Sequence, residues 1–219
     1  MMRSLPFAAC YVYSPLGAGR LSERSRLLRS LLKSRDLRFL SIYAERVHTE
    51  VCARHCLAVF FAPAPVLVPV PSSSPRGALR RGGSRRSGSQ RSVPESLAAA
   101  LRAHGLGSDV WPGLRRVSAV PKSATCPSCK RPTVAVHYES FEVDSGTAAP
   151  AEILLVDDVV TKGRTLLAAA TRLQEAFPNA RIRAFALLRT MGMIAGVEQL
   201  LDPCVGQIRW RAGDAHRSP

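Results

Sequence analysis

One continuous segment, Ile153-Leu-Leu-Val-Asp157-Asp158-Val159-Val160-Thr161-Lys162-Gly163-Arg164-Thr165, limits the possible folds of this chain more than any other. Residues 153–156 form a short, branched, apolar run of the kind a parallel strand covered on both faces requires. From Leu166 the apolar residues Leu166, Ala169, Ala170, Leu173 and Phe177 recur at helical spacing, and Pro178-Asn179 stops the helix. A strand, two acids, a tight turn and a helix start in immediate succession predict an α/β fold. The acids stand at the carboxyl end of the strand, where open α/β sheets bind ligands.

Between strand and helix, residues 161–165 offer closely spaced backbone N–H groups, a glycine free to take a positive φ, and hydroxyls at both ends. That combination is an anion cradle. The positive end of the helix dipole adds about 0.3–2 kcal/mol for an anion held there. Asp157 and Asp158 can accept hydrogen bonds from two neighbouring hydroxyls, and ribose carries such a pair at C2 and C3. Paired acids after a strand are often only a solvated turn, and a threonine before a helix is often only an N-cap. Here all the elements needed for a ribose 5-phosphate occur together and in order.

This segment resembles the phosphoribosyl-pyrophosphate signature of the type I phosphoribosyltransferases, an apolar run followed by Asp-Asp-Val-x-Thr-Thr-Gly-x-Thr. Lys162 replaces the second threonine, which removes a hydroxyl, keeps the backbone N–H and adds a positive charge. Within that superfamily the order of a Val-Pro-Val-Pro strand, a basic lid and the acid pair is most similar to the ComF-like, competence-associated branch. The resemblance implies a mainly parallel central sheet flanked by helices, with a flexible lid loop. It divides the chain into an N-terminal helical appendage or hood over residues 1–60, a core over residues 61–212 and a frayed tail over residues 213–219.

The implied chemistry is displacement of pyrophosphate from phosphoribosyl pyrophosphate by an unidentified nitrogen acceptor. Asp157 and Asp158 take the catalytic positions at the ribose. Val159, Val160, Thr161, Lys162, Gly163, Arg164 and Thr165 take the 5-phosphate. Mg2+ is the implied cofactor, held largely through substrate oxygens and by Asp157 and Asp158 where the protein contributes. Ser72, Ser73 and Arg76 follow the strand at residues 66–70 and suit a second phosphate group. Lys122, Arg131 and His137 are candidate pyrophosphate contacts from a lid whose later part, residues 134–141, alternates like a strand.

The rest of the chain sets bounds. A formal net charge of +15 favours polyanionic or multiply phosphorylated partners and raises non-specific nucleic-acid binding. Much of it lies in residues 76–91, where Arg80, Arg81, Arg85 and Arg86 stand among glycines and serines without an acid. That run is a solvated basic loop, a closure over pyrophosphate or an attractor of nucleic acid. A non-enzymatic protein of the same fold, serving nucleic-acid handling or regulation, is the competing class. Aromatic residues are sparse in the basic stretches, so stacking platforms for single strands are not apparent.

The first forty residues have the composition of an organelle transit peptide, but Leu21, Leu27, Leu28, Leu31 and Leu32 form an amphipathic helix for Ser22 to cap. The most apolar stretch, residues 57–71, is shorter than a bilayer span and broken by Pro63, Pro65 and Pro69. A cytoplasmic protein without membrane partners is expected. Residues 37–48 and 94–104 read as helices, and residues 182–188 as a buried strand. Residues 110–120 read as a further strand, and residues 207–210 as an edge strand. Cys126-x-x-Cys129 and Cys52-x-x-x-Cys56, with His48 and His55 nearby, differ in spacing, so incidental reduced cysteines are expected rather than zinc.

Overall fold

The computed structural model describes residues 1–34, 36–75, 91–121, 131–144, 146, 150–192 and 196–219. Its elements run β1 (Ser4–Tyr13), α1 (Arg20–Ser34), α2 (Leu37–Ala53), α3 (His55–Phe61), β2 (Val66–Pro69), α4 (Val93–Ala103), β3 (Asp109–Val110), β4 (Leu114–Arg116), α5 (Val134–Glu139), β5 (Phe141–Val143), β6 (Glu152–Val160), α6 (Arg164–Ala176), β7 (Arg181–Thr190), β8 (Leu201–Arg211) and β9 (Asp214–Ser218). Residues 76–90 of the basic run, Arg76 included, and Lys122, Cys126 and Cys129 lie outside the described residues.

The apolar run at residues 153–156 becomes the fully buried centre of β6. Parallel partners flank it, β2 in register from Val66↔Ile153 to Pro69↔Val156, and β7 from Glu152↔Arg181 to Val160↔Arg189. Both faces of such a strand are covered, which is why its sequence is continuously apolar rather than alternating. The whole sheet runs β3-β2-β6-β7-β1-β8-β9. The first five strands are mutually parallel, and β8 and β9 are antiparallel additions.

Each face has its own core. On one, α6 buries Leu166, Leu167, Ala170 and Leu173 against Leu155, Ala184 and Ile208. On the other, α1 to α4 bury Leu32, Leu40, Val47, Leu57, Phe61, Leu97 and Leu101 against Leu67, Leu154 and Phe185. The mixed α/β class with a mostly parallel sheet flanked by helices is therefore present.

Five local expectations are corrected. Residues 1–60 are not an appendage in packing terms, because β1 lies inside the sheet between β7 and β8 and the helices following it cover one sheet face. Ser22 does not cap α1: it lies within the helix, and its Oγ donates to Ser14 Oγ at 3.1 Å.

Residues 134–139 are helical rather than a strand, since Thr133 caps them by accepting from Val136 N at 3.3 Å. The residues buried there, Val134 and His137, are three apart, as one helix face demands. The tail is not frayed. Ala212 and Gly213 both take positive φ, 47° and 79°, which makes a two-residue hairpin turn and pairs β9 along β8. With β1 on its other side, β8 is an internal strand and not an edge.

Candidate functional site

The sheet order creates a crevice. From β2 the chain passes through α4 to β3 on one side, whereas from β6 it passes through α6 to β7 on the other. The carboxyl ends of β2 and β6 are neighbours whose connections diverge, the position at which doubly wound sheets take ligands. The turn after β2 carries Ser72 and Ser73; β6 carries the acid pair near its carboxyl end, and the turn after it is residues 161–163.

Asp157 and Asp158 are the half-buried last part of β6, and Asp158 N donates to Asp157 Oδ1 at 2.8 Å. Loss of water pushes the Asp157 carboxyl well above the ordinary carboxylate range, and the adjacent Asp158 charge pushes it further; Arg116 pulls the other way. Hydroxyl donors or a cation at this position relieve that strain on the ionised form. Two adjacent carboxylates fit Mg2+, which takes one or two protein carboxylates and completes its shell with water and phosphate oxygens. Among the described residues no group of three or more metal-ligating side chains is assembled. At the first cysteine pair, Cys52 and Cys56 are exposed, and Cys52 Sγ lies 3.7 Å from His48 Nε2.

The cradle begins at Gly163, the residue preceding α6, with φ 85° and no side-chain cap on the helix. The first N–H groups of a 13-residue helix are therefore left for another acceptor. They border a cavity of about 80 Å³, also lined by Asp157, Thr161, Lys162, Thr165, Arg131 and His137.

A side chain at Gly163 has no place, because a Cβ there would meet Ile208 at 2.6 Å. Lys162 is 63 % exposed, with Nζ 3.5 Å from Asp214 Oδ2. Arg164 differs from expectation. Its Nε and Nη2 donate to the two oxygens of Asp214 at 2.6 Å each, and Nη1 donates to Pro132 O at 3.2 Å and Arg131 O at 3.4 Å. Its guanidinium is thus occupied by the protein, and its backbone N–H is what it offers the cradle.

His137 also differs. Expected as a pyrophosphate contact from a lid, it is 5 % exposed on α5, and its pKa is lowered to about 4 by burial first and then by Arg116 and Arg164. It is a neutral imidazole at neutral pH. Nε2 lies 3.4 Å from Thr165 Oγ1, and Nδ1 is buried without a hydrogen-bond partner among the described residues. Arg131 is exposed at the cavity wall.

The turn after β2 is held by Arg116, which the sequence reading missed. Arg116 Nε donates to Ser72 O at 2.7 Å, Nη1 donates to Ser140 Oγ, and the guanidinium lies 4.2 Å from the centre of the Phe141 ring. It is 6 % exposed, and burial lowers its pKa to about 10. Ser73 O accepts from Val120 N at 2.8 Å, and Ser72 Oγ donates to Ser74 O at 3.1 Å. The one available signal for Arg116 was its place in Leu114-Arg115-Arg116, where strand alternation turns it to the same side as Leu114.

Neither a family model nor a curated protein sequence matches the chain. Among solved structures it is similar to a hypoxanthine phosphoribosyltransferase from Staphylococcus aureus, at 11 % identity over 73 % of this chain and 70 % of that one, with a TM-score of 0.35.

Proposed function

We propose that this chain binds phosphoribosyl pyrophosphate and transfers its phosphoribosyl group to a nitrogen acceptor, releasing pyrophosphate. The observation that carries the reading is the uncapped start of α6, opened by Gly163 and set directly behind the half-buried Asp157–Asp158 pair at the sheet's diverging edge. In this reading the backbone N–H groups and hydroxyls of residues 161–165 hold the 5-phosphate, and the two carboxylates accept from the ribose hydroxyls. His137 meets the cradle as a neutral group and keeps the Thr165 hydroxyl in place.

The acceptor nitrogen forms the new bond to C1 as the C1–O bond to pyrophosphate breaks, and the acceptor's proton leaves to solvent. Charge develops at C1 as in an oxocarbenium ion, and Asp157 and Asp158 lie on the ring side of it. Asp157 and Asp158 would help to hold Mg2+, which when bound would supply neutralisation of the leaving group. Ser72, Ser73 and Arg131 border the diphosphate, with Arg76 and Lys122 assigned to it from the sequence alone. No protein nucleophile is needed, so rate enhancement comes from positioning and electrostatics.

Calorimetric titration with phosphoribosyl pyrophosphate and Mg2+ tests this. Wild type should bind, and Asp157→Asn combined with Asp158→Asn should weaken binding at least about tenfold, the scale of losing charged hydrogen bonds. A double variant that binds as wild type does would refute the assignment of the ribose.

The net charge of +15 supports a second reading, in which the same fold handles nucleic acid without transfer chemistry. Under that reading duplex DNA binds with a steep salt dependence, no phosphoribosyl product forms with any nucleobase, and the double variant keeps full DNA affinity.

A further inference from the structure

The hairpin β8–β9 is the antiparallel end of the sheet, and it reaches the anion cradle at two points. Ile208 on β8 packs where a side chain on Gly163 would stand. Asp214, the first residue of β9, takes both cations of the turn: Arg164 in a two-pronged pair at 2.6 Å and 2.6 Å, and Lys162 at 3.5 Å. The Asp214 carboxylate is itself fixed, because Ala215 N donates to Oδ1 at 2.8 Å. The Arg164 hydrogen bond is the main reason its pKa is held down at about 2, so it is ionised throughout the physiological range.

Arg164 is the joint through which this acts. Its third arm, Nη1, donates to the carbonyls of Arg131 and Pro132, which lead into the Thr133 cap of α5 and so to His137 beside Thr165. One guanidinium, 19 % exposed, therefore ties β9, the first turn of α6 and the start of α5 together around the cavity. A planar fork held at both prongs has little rotational freedom, which a lysine or a single-pronged contact would not achieve.

We propose that Asp214 is a positioning residue for the anion cradle. By locking the Arg164 fork against the hairpin it fixes the first turn of α6, and with it the backbone N–H groups that receive a phosphate. It touches no ligand atom and acts through Arg164. The proposal rests on the reading of residues 161–165 as a phosphate cradle.

Ribose 5-phosphate titration, together with amide hydrogen exchange on the ligand-free protein, tests it on wild type, Asp214→Ala, Asp214→Asn, Asp214→Glu, Arg164→Ala and the double variant Asp214→Ala with Arg164→Ala. Asp214→Ala and Asp214→Asn should weaken ribose 5-phosphate about tenfold, the scale of a lost charge-assisted pair. They should also speed exchange at residues 163–165 while residues 153–156 stay protected. Asp214→Glu should recover part of both effects. In the Arg164→Ala background, Asp214→Ala should add nothing, because the joint is already gone.

The proposal falls if Asp214→Asn binds ribose 5-phosphate as tightly as wild type or more tightly, which would make the carboxylate only a repelling charge. It falls equally if the full Asp214→Ala loss persists without Arg164. Should wild type itself fail to bind ribose 5-phosphate, the cradle reading fails instead. Exchange at residues 163–165 then decides the positioning role alone, and unchanged exchange in both Asp214→Ala and Asp214→Asn overturns it.

Discussion

Gly163 has a backbone conformation and a neighbour that both exclude a side chain: φ is 85°, and Ile208 fills the space beyond. Gly163→Ala should therefore lower stability by about 1–3 kcal/mol, read from urea unfolding. Trimming Ile208 to Ala in the same chain should recover none of the backbone part. At His137 the pKa of the folded state is lowered from 6.5 to about 4. The unfolded chain thus binds the proton first. Its contribution is fully present above the unfolded value and is lost as pH falls from about 6.5 through 4, reaching about 3 kcal/mol. Unfolding curves of wild type against His137→Gln across that interval should show the variant with the shallower acid slope. Equal slopes would show that the imidazole is not held neutral. Buried charge gives a third test. Arg183, 3 % exposed in its side chain, pairs with Glu152 at 2.5 Å and also donates to Ala62 O at 3.1 Å. Glu152→Ala leaves the guanidinium without its counter-charge and should cost about 3 kcal/mol by denaturant titration, whereas Glu152→Leu with Arg183→Met should cost less.

Among elements, α4 shows how a local signal suffices. Ser92 accepts from Glu95 N while the Glu95 side chain accepts from Ser92 N at 2.8 Å, and Pro94 fits the first turn. Ser92→Ala should destabilise the protein by about 1 kcal/mol, seen as a lower midpoint with an unchanged denaturant slope. The strand β6 and helix α6 were legible for a similar reason, because strand, acids, turn and helix start are contiguous in the chain. The strand β1 was not. Its run Leu5-Pro-Phe-Ala-Ala-Cys-Tyr-Val-Tyr has small residues and a proline, and its partners β7 and β8 lie far along the sequence. The helix α5 was missed because six residues alternating Val-Ala-Val-His-Tyr-Glu satisfy a strand template as well as one helical turn, and the Thr133 cap alone separates the two. The same limit applies at the site. Asp157 and residues 161–165 are a linear motif, whereas Arg116 and Asp214 reach it only through β4 and β9.

For the whole molecule, ligand linkage gives the broadest test. If phosphoribosyl pyrophosphate with Mg2+ binds the folded chain alone, a ligand concentration one hundred times Kd should stabilise it by about 2.7 kcal/mol, visible as a rise in Tm. A panel of nucleobases added on top should identify the acceptor by a further rise. No helix among the described residues is long and apolar enough to cross a membrane. The two cores lie on opposite faces of one sheet.

The pairing of β1 with β7 and β8 sets the timing of assembly during translation. Phe7 stays without its neighbours Ala184 and Gly206 until those residues have left the ribosome. Vectorial synthesis can finish α1 to α4 early, but it cannot zip the centre of the sheet. Long-range pairing of this sort makes for slow folding. A nascent chain halted before β7 would hold an unpaired apolar β1 and an unbraced turn after its acid pair, a natural client for a holding chaperone.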